Sequence, residues 1–439
     1  MQIDFQKYHE TLKTLSPLRI HGKVTRVTGL IVEGHGPASS VGSQCHIYPR
    51  GSNHPIPAEV VGFRDSRILL MPLGEIRGIG PGSEIVGLDG RAVLSLDESI
   101  LGRIVDGTGK PLDGGPPIVG QHEYPIYGRT INPLERARIE KPLALGIRSI
   151  DGLLTCAKGQ RMGIFSGSGV GKSVLLGMIA RNTEADVNVI ALIGERGREV
   201  REFIERDLGE EGLRRSVVVA ATSDQPPLIR MRGSFIATTV AEYFRDLGRD
   251  VILMVDSITR FSMAQREVGL AAGEPPTTKG YTPTVFNTLP KLMERAGNTN
   301  TGGSITGLYA VLVEGDDLAD PIADAARSIL DGHIVLSRDL ANHGQYPAVD
   351  VLQSVSRLMK ETVSSEQKRL STELIATLAA YRKSEDLINI GAYVAGSNPK
   401  IDHAIKMIEP INQFLEQRVD EKVDFEQTMV GLRALFKKG

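Results

Sequence analysis

The stretch Ser166-Gly167-Ser168-Gly169-Val170-Gly171-Lys172-Ser173 decides the fold of this chain. It stands between an apolar, strand-like run at 161–166 and a helical run at 172–182. Glycines at such a junction let successive backbone N–H groups turn toward phosphate oxygens, and the start of the helix adds a positive dipole. The usual pattern begins with Gly, where this chain has Ser166. The stretch therefore predicts a loop that binds phosphate at the end of a strand.

Strand-like and helical runs alternate around this loop from about residue 159 onward. The predicted strands are 161–166, 187–194, 216–221, 250–256, 304–313 and 333–336. The helices predicted between them are 172–182, 198–208, 234–247 and 259–268. This alternation predicts a parallel sheet covered on both faces.

The flanking regions differ from this core. We predict four parts along the chain: an N-terminal partner-binding helix at 1–18, a β-barrel at 19–90, the α/β domain at 91–364 and a helical domain at 365–439. The barrel rests on short runs at 22–32, 59–63, 67–70 and 83–88, separated by Gly, Pro, Ser and Asn. The first helix carries an apolar stripe that could bind a partner or pack on its own domain. Helices at 365–382 and 402–436 follow the last strand.

Composition excludes several classes of protein. Lys and Arg total 51 against 53 Asp and Glu, which argues against an overall basic nucleic-acid binder and an acidic disordered chain. Aromatic residues make up 5% and Trp is absent, so base-stacking surfaces are disfavoured. The two cysteines, Cys45 and Cys156, are far apart and predict neither a disulfide scaffold nor a thiolate zinc site. No secretory signal or membrane-length apolar run is found, so we expect a cytoplasmic protein.

Two carboxylates follow predicted strands and should lie at the phosphate-binding edge of the sheet. Asp256 ends the run Val251-Ile-Leu-Met-Val-Asp256, where it could orient the hydration shell of Mg²⁺. Glu195 ends the strand before Arg196-Gly-Arg-Glu, where it could polarise an attacking water, although a solvated helix start would fit this segment too. Lys172 would reach the β- and γ-phosphates of a nucleotide, and the Ser173 hydroxyl would hold Mg²⁺.

Five motifs then resemble one family over nearly the whole chain. SGSGVGKS, GERGREV at 194–200, VDSITRF at 255–261, YPAVDVLQSVSR at 346–357 and LGRIVDGTGKPLDG at 101–114 occur in the order found in catalytic subunits of the rotary ATPase superfamily, which includes ATP synthase β chains and ATPases of type III protein export. The resemblance implies a RecA-like P-loop core between a β-barrel and a helical domain. It also implies ATP as substrate and Mg²⁺ as cofactor.

The resemblance assigns roles to individual residues. Glu195 matches the water-activating glutamate, Arg196 and Arg260 match arginines near the γ-phosphate, and Arg357 matches an arginine finger presented to a neighbouring subunit. Tyr346 matches the aromatic residue that packs on adenine. The nucleotide contacts implied by the loop are Gly167, Ser168, Gly169, Val170, Gly171, Lys172, Ser173 and Val174. Position alone would instead favour a surface ion-pair partner at Arg357 and a core aromatic at a strand end at Tyr346.

The branch within the family is read from two further segments. GEPPTTKGY at 273–281 and the tail YRKSEDLINIGAY at 381–393 with GSNP at 396–399 are similar to export ATPases, in particular the flagellar type. This resemblance implies a homohexamer, a stator-like regulatory protein on the N-terminal segment, export chaperone–substrate complexes and an export gate as partners, no nucleic acid, and a cytoplasmic location peripheral to the inner-membrane export apparatus. A proton-translocating ATP synthase subunit and a hexameric RNA translocase remain the alternatives.

Overall fold

The computed structural model describes residues 21–437 except 89–91, 301, 314, 316 and 318, so the predicted helix at 1–18 lies outside the described residues. The first described element is a closed six-stranded antiparallel barrel with strand order β1-β2-β5-β4-β3-β6. Its strands are β1 (His21–Thr28), β2 (Ile31–His35), β3 (Gln44–Tyr48), β4 (Ile56–Arg64), β5 (Arg67–Pro72) and β6 (Glu84–Gly87). Closure leaves no free edge to pair with another chain.

The barrel differs from the sequence prediction in two places. The run 22–32 is two strands, because Gly29 takes a positive φ of 55° and turns the chain between them. Strand β3 was not predicted, although its burial alternates and places Cys45 and Ile47 in the barrel core. Only two apolar residues point inward here, too few to stand out in the sequence.

A mixed sheet follows the barrel, and its central strands are parallel. Along the sheet the order is β19-β18-β12-β17-β15-β13-β14-β8, and β16 pairs with β17. The strands are β8 (Ile104–Asp106), β12 (Arg161–Ser166), β13 (Val187–Ile193), β14 (Ser216–Ala221), β15 (Asp250–Asp256), β16 (Gly297–Asn298), β17 (Ser304–Leu312), β18 (Gly332–Leu336) and β19 (Val355–Ser356). Only β16 and β19 run antiparallel to their neighbours among the described pairs. Two separate two-stranded antiparallel sheets are also present: β7 (Val93–Leu96) pairs with β9 (His122–Pro125), and β10 (Pro142–Leu143) pairs with β11 (Cys156–Ala157).

Both faces of the sheet are covered, as the alternating pattern predicts. The helices of this region are α1 (Arg148–Leu153), α2 (Lys172–Asn182), α3 (Gly197–Glu202), α4 (Gly209–Arg214), α5 (Pro227–Asp246), α6 (Ile258–Ala272), α7 (Pro283–Met293), α8 (Pro321–Ile329), α9 (Arg338–Asn342) and α10 (Met359–Thr362). Along β13, Val189 and Ala191 belong to one core, while Ile190 and Leu192 belong to the other. Such two-sided burial is typical of parallel strands.

Helix α5 begins at Pro227, seven residues before the predicted start at Ser234. Proline is tolerated in a first turn because its missing N–H would have no helical partner there. Between α3 and α4, residues Phe203–Leu208 form a π-helical turn within the predicted run 198–208. Three single-turn 3₁₀ segments, Glu98–Ile100, Pro133–Glu135 and Thr278–Gly280, complete the described helices of this part.

Three helices form the C-terminal region: α11 (Ser365–Asn389), α12 (Pro399–Leu415) and α13 (Phe425–Leu435). The prediction of continuous helix over 402–436 is wrong, because the chain leaves α12 after Leu415 and restarts at a capping box in which Asp424 and Gln427 bond each other's backbone N–H. Leu374, Phe414 and Leu432 pack into the same core as helix α2. The helical region therefore packs on the same side of the sheet as helix α2, the helix that follows the phosphate-binding loop.

Barrel, α/β sheet and terminal helices together confirm the predicted fold class. Among the described residues, no helix combines the length and the apolar character needed to cross a membrane.

Candidate active site

The predicted phosphate-binding loop connects β12 to helix α2 at the carboxyl edge of the sheet. Gly169 and Gly171 take φ values of 79° and 90°, a region that residues with a Cβ rarely adopt. A Cβ on Gly171 would also lie 3.3 Å from the ring of Tyr346. Two independent constraints thus require glycine at position 171. The side chain of Val170 is buried in the core, so this residue can offer a bound phosphate only its backbone.

Lys172, the first residue of α2, reaches the ends of two neighbouring strands. Its ammonium group contacts Asp256 Oδ1 and lies 3.7 Å from Glu195 Oε1. All three side chains are largely buried, with 11%, 4% and 16% of their surfaces exposed for Lys172, Asp256 and Glu195. Strands β13 and β15 are adjacent and parallel, and β12 is separated from β15 by β17 alone. The carboxyl ends of these strands therefore bring the three residues together.

Glu195 is the group whose protonation the site perturbs most clearly. Burial, and next the negative charge of Asp256, raise the pKa of Glu195 from 4.5 to about 7, while the ammonium of Lys172 opposes that change. Its Oε1 atom is buried and has no hydrogen-bond partner among the described residues. A carboxylate with a pKa near neutrality and an unsatisfied oxygen is suited to accept a proton from water.

The backbone around Glu195 is held from the neighbouring strand. Gly194 N–H donates to the carbonyl of Ala221 at 2.7 Å, and the carbonyl of Glu195 accepts from Ser223 N–H at 3.0 Å. Gly194 has a φ of 69°, and a Cβ there would lie 3.0 Å from Arg260 Cβ. The sharp turn after β13 therefore depends on glycine and directs the following carboxylate toward Lys172.

A cleft of about 810 Å³ opens over this cluster. Of the residues predicted for the site, the cleft is lined by Gly167, Ser168, Gly169, Gly171, Lys172, Ser173, Val174, Glu195, Arg196 and Arg260. Arg260 extends from the first turn of α6, and its Nε is buried without a hydrogen-bond partner among the described residues. Arg196 is exposed and lies 3.4 Å from the carboxylate of Glu199. The structure thus brings the predicted phosphate-side residues together.

Sequence reasoning missed several residues that line the same cleft: Glu199, Arg206, Asp207, Ser223, Thr259 and Arg338. Arg206 and Asp207 lie in the π-helical turn, a feature often found at functional sites. The Thr259 hydroxyl accepts from the N–H of Leu312 at 2.8 Å and donates to the carbonyl of Leu312 at 3.1 Å. These two bonds connect α6 to the end of β17. Thr259 lies within the recognised motif VDSITRF at 255–261, whereas Arg338 lies outside all the recognised motifs.

Tyr346 borders a second, smaller cavity of about 160 Å³. Its lining is mostly apolar: Gly171, Val174, Leu175, Met178, Leu336, Tyr346, Pro347, Ala348, Gln417 and Val419. Gly171 and Val174 line both cavities, so the apolar cavity adjoins the phosphate-side cleft. The tyrosine side chain is 45% exposed rather than a core aromatic, which leaves its ring accessible to a flat ligand.

Arg357 does not join this cluster. It follows β19, its backbone N–H donates to the carbonyl of Asp331, and one guanidinium nitrogen lies 3.4 Å from the carbonyl of Arg327. The residue is exposed at the sheet edge and is absent from the lining of the cleft. Within one protomer, Arg357 therefore stands apart from Lys172 and Glu195.

The oxygen atoms at the loop are of the kind that Mg²⁺ prefers. Ser173 is exposed in the first turn of α2 and lines the cleft, and the carboxylate of Asp256 lies beside Lys172. Mg²⁺ usually keeps several waters and takes one or two protein oxygens plus substrate phosphates. A hydroxyl, a nearby carboxylate and an open cleft fit that coordination.

Comparison with known proteins places these features in one family. The ATP synthase alpha/beta family, nucleotide-binding domain, matches residues 146–356, and the beta-barrel domain of that family matches residues 24–89. Residues 363–434 match the T3SS EscN ATPase C-terminal domain. The three matches follow the same order as the barrel, sheet and helices.

Individual relatives agree over almost the full chain. The flagellum-specific ATP synthase of Bacillus subtilis is 54% identical, over 94% of this chain and 95% of that protein. The assembled ATPase EscN of enteropathogenic E. coli is 42% identical with a TM-score of 0.88, over 94% of this chain and 99% of EscN. EscN in complex with its central stalk EscO gives a TM-score of 0.86 at the same identity and coverage. The chain therefore belongs to the ATP synthase alpha/beta family, in the branch of flagellum-specific and type III secretion ATPases.

Proposed function

We propose that this ATPase hydrolyses Mg·ATP to ADP and phosphate at the cleft over Lys172 and so energises type III export of proteins, of the flagellar kind, by releasing and unfolding export substrates. The observation that carries the chemistry is the buried cluster of Lys172, Glu195 and Asp256 at the end of a phosphate-binding loop. Flagellum-specific relatives reach 54% identity, against 47% for the type 3 secretion ATPase of Xanthomonas euvesicatoria, and this difference supports the flagellar assignment.

Each residue of the cluster has a different role in the proposed hydrolysis. Glu195 accepts a proton from the attacking water through Oε1, which has no hydrogen-bond partner among the described residues. Lys172, which Asp256 holds in the ligand-free protein, donates to phosphate oxygens, and Arg196 and Arg260 add positive charge at the rim of the cleft. When bound, Mg²⁺ would supply charge neutralisation at the phosphates, held by Ser173 and, through water, by Asp256. Tyr346 receives the adenine in the adjoining apolar cavity.

Arg357 acts on a neighbouring subunit in this proposal. Its exposed position at the sheet edge, away from the cleft of its own protomer, supports contact with another copy rather than with its own nucleotide. A homohexamer lets one type of chain supply both the loop and the finger at every site. EscN has been solved in an assembled form, which supports the ring.

The partners follow from the same branch. EscN binds a central stalk, EscO, and we propose an equivalent stalk for this ATPase. A stator-like regulatory protein on residues 1–18 and export chaperone–substrate complexes at the ring complete the proposed assembly. We place it in the cytoplasm, peripheral to the inner-membrane export gate.

Two substitutions test the chemistry. Lys172→Ala should remove most affinity for ATP and most turnover, because no other cation reaches the phosphates from the loop. Glu195→Gln should leave ATP binding largely intact while kcat falls roughly 10²–10⁴-fold, the range for a lost general base. Glu202→Gln, on the exposed face of α3, is the matched control. Near-normal hydrolysis by Lys172→Ala would refute the site.

A mixing experiment tests the ring. Arg357→Ala and Lys172→Ala subunits should each be inactive, and an arginine finger contributes on the order of 10³–10⁵ to the rate. Mixed rings would contain some sites with a wild-type lysine and a wild-type finger, so part of the activity should return. Absence of recovery in rings shown to be mixed would overturn action in trans.

The two alternatives predict different behaviour. An RNA translocase should hydrolyse ATP faster with RNA present, whereas we expect no stimulation. A rotary synthase subunit should co-purify with a distinct non-catalytic partner chain. The match of residues 363–434 to the EscN C-terminal domain favours export.

A further inference from the structure

Residues 416–421 form the first part of the segment that links α12 to α13 and contribute to the wall of the apolar cavity; we call them the strap. Two of its residues, Gln417 and Val419, line that cavity together with Tyr346. Gln417 is 4% exposed, although the residues on either side of it are exposed. A long polar side chain buried in an otherwise exposed segment indicates specific partners.

Gln417 bonds three separate parts of the protein. Its backbone N–H donates to the carbonyl of Tyr346 at 2.9 Å. Its Oε1 accepts from Arg148 N–H at 2.8 Å, and its Nε2 donates to the carbonyl of Gly146 at 2.9 Å and to that of Glu421 at 3.0 Å. The amide therefore fixes the strap to the start of α1, and its backbone fixes Tyr346 to the strap.

Two arginines hold the strap at further points. The guanidinium of Arg148 donates to the carbonyl of Glu416 at 2.8 Å and pairs with the carboxylate of Glu421. Arg181, in the last turn of α2, donates to the carbonyl of Val419 at 2.9 Å. Helix α2 begins at Lys172, so the same helix supports the phosphate side at one end and the strap at the other.

We propose that Gln417 is a positioning residue for nucleotide binding: its buried amide holds the strap and Tyr346 in the arrangement that closes the base cavity. The inference rests on the proposed function, in which this cavity receives adenine. Gln417 lies away from Lys172 and Glu195 and is absent from the lining of the phosphate-side cleft. Its loss therefore reduces the fraction of protein that is ready to bind the base and leaves the chemical step unchanged.

Gln417→Met tests this inference, because it nearly preserves volume and removes the three side-chain hydrogen bonds. We expect KM for ATP to rise about fivefold with kcat within twofold of wild type, since affinity falls with the population of the competent state. Inorganic tripolyphosphate has no base, so its inhibition constant should be unchanged. A loss of folded protein would instead lower the apparent kcat and would not raise KM for ATP while leaving the inhibition constant of tripolyphosphate unchanged.

Gln367→Met is the matched control. Gln367 is also a buried glutamine in the helical region, and its Nε2 donates to the carbonyls of Asp151 and Gly152 and to Thr155 Oγ1. It joins the same two regions of the protein, but none of its hydrogen bonds among the described residues reaches the strap or Tyr346. Gln367→Met should leave KM for ATP unchanged.

A double-mutant cycle links Gln417 to Tyr346. Tyr346→Ala alone should raise KM for ATP roughly tenfold, within the range measured for base–aromatic stacking. In the Tyr346→Ala background, Gln417→Met should raise KM for ATP little further, because Gln417 acts on binding through Tyr346. Additive effects, an unchanged KM in Gln417→Met, or an equal rise in Gln367→Met would overturn the inference.

Arg181→Met gives a second route if Gln417→Met does not fold. It removes the bond to Val419 from a partly exposed position, and KM for ATP should rise in the same direction with kcat kept. Unchanged KM in this variant would count against the strap. If Tyr346→Ala leaves KM for ATP unchanged, the assignment of the apolar cavity to adenine is wrong, and this part of the proposed function fails. If Tyr346→Ala raises KM but the Gln417 and Arg181 variants leave it unchanged, only the positioning role of Gln417 fails.

Discussion

Replacing Glu195 by Gln should make the ligand-free protein more stable at neutral pH than the wild type, by an amount that depends on pH. Burial and the nearby charge of Asp256 raise the pKa of Glu195 from 4.5 to about 7. The folded protein therefore keeps a proton that the unfolded chain has released between these two pH values. In this window stability falls as pH rises.

The magnitude follows from the size of the displacement. A tenfold change in proton affinity corresponds to about 1.4 kcal/mol, so moving the pKa from 4.5 to about 7 costs at most roughly 3.5 kcal/mol above pH 7. Glutamine fills nearly the same volume without a titratable group. The difference in unfolding free energy between Glu195→Gln and wild type should be constant below pH 4.5, grow up to pH 7 and level off above it.

Urea unfolding of both proteins, without nucleotide and with EDTA present, measures that difference at pH 4.5, 5.5, 6.5 and 8. Glu202→Gln provides the control for the chemical change, because Glu202 forms an exposed pair with Arg198 on α3. A difference that stays constant over this pH range would refute the perturbed environment of Glu195.

The same pKa predicts that kcat/KM for ATP rises between pH 6 and 8, because only ionised Glu195 accepts a proton. A flat kcat/KM profile would show that ionisation of Glu195 does not limit the free enzyme.

Two further substitutions test the frame around the site, and a third tests a buried ion pair elsewhere in the sheet domain. Gly171→Ala should weaken ATP binding roughly tenfold in calorimetry, because it strains a residue at φ 90° and places a methyl group 3.3 Å from the Tyr346 ring; wild-type affinity would contradict this. Thr259→Val should lower the free energy of unfolding by about 1–3 kcal/mol, because both backbone groups of Leu312 lose their partner; a neutral effect in urea unfolding would show that other groups replace the hydroxyl. Arg295→Met should cost about 3–5 kcal/mol, because it leaves buried Glu242 without its cation, and recovery of stability in the Arg295→Met/Glu242→Leu double variant would identify the unpaired charge as the cause.

The parts of the site that the sequence predicts are those built from contiguous residues at strand ends. Lys172, Glu195 and Asp256 each follow a recognisable apolar run, and parallel strands necessarily bring those ends together. The fold class could be inferred for the same reason. The roles of these residues remain predictions until the variants are measured.

What the sequence did not predict depends on long-range packing. Gln417 meets Tyr346 only because α12 packs on the core beside α2, a contact between residues 71 positions apart. The raised pKa of Glu195 likewise depends on burial and on Asp256, neither of which a local motif contains. The break after Leu415 was missed because the residues that follow it are as polar as an exposed helix face, and only the capping box at Asp424 marks the new start.

In the proposed function, phosphate chemistry and base recognition take place in two adjoining cavities of one nucleotide site. The charged cluster lies on strand ends inside the sheet domain, whereas the base cavity is closed by Tyr346 and by the strap from the helical region. A partner that shifts the helical region would therefore act first on the strap and change affinity for ATP. Helix α2 connects the strap to the charged cluster, because Arg181 in its last turn bonds Val419 and Lys172 is its first residue. Regulation through the helical region is thus expected to change KM before kcat, because Gln417 and Val419 line the apolar cavity and are absent from the lining of the phosphate-side cleft.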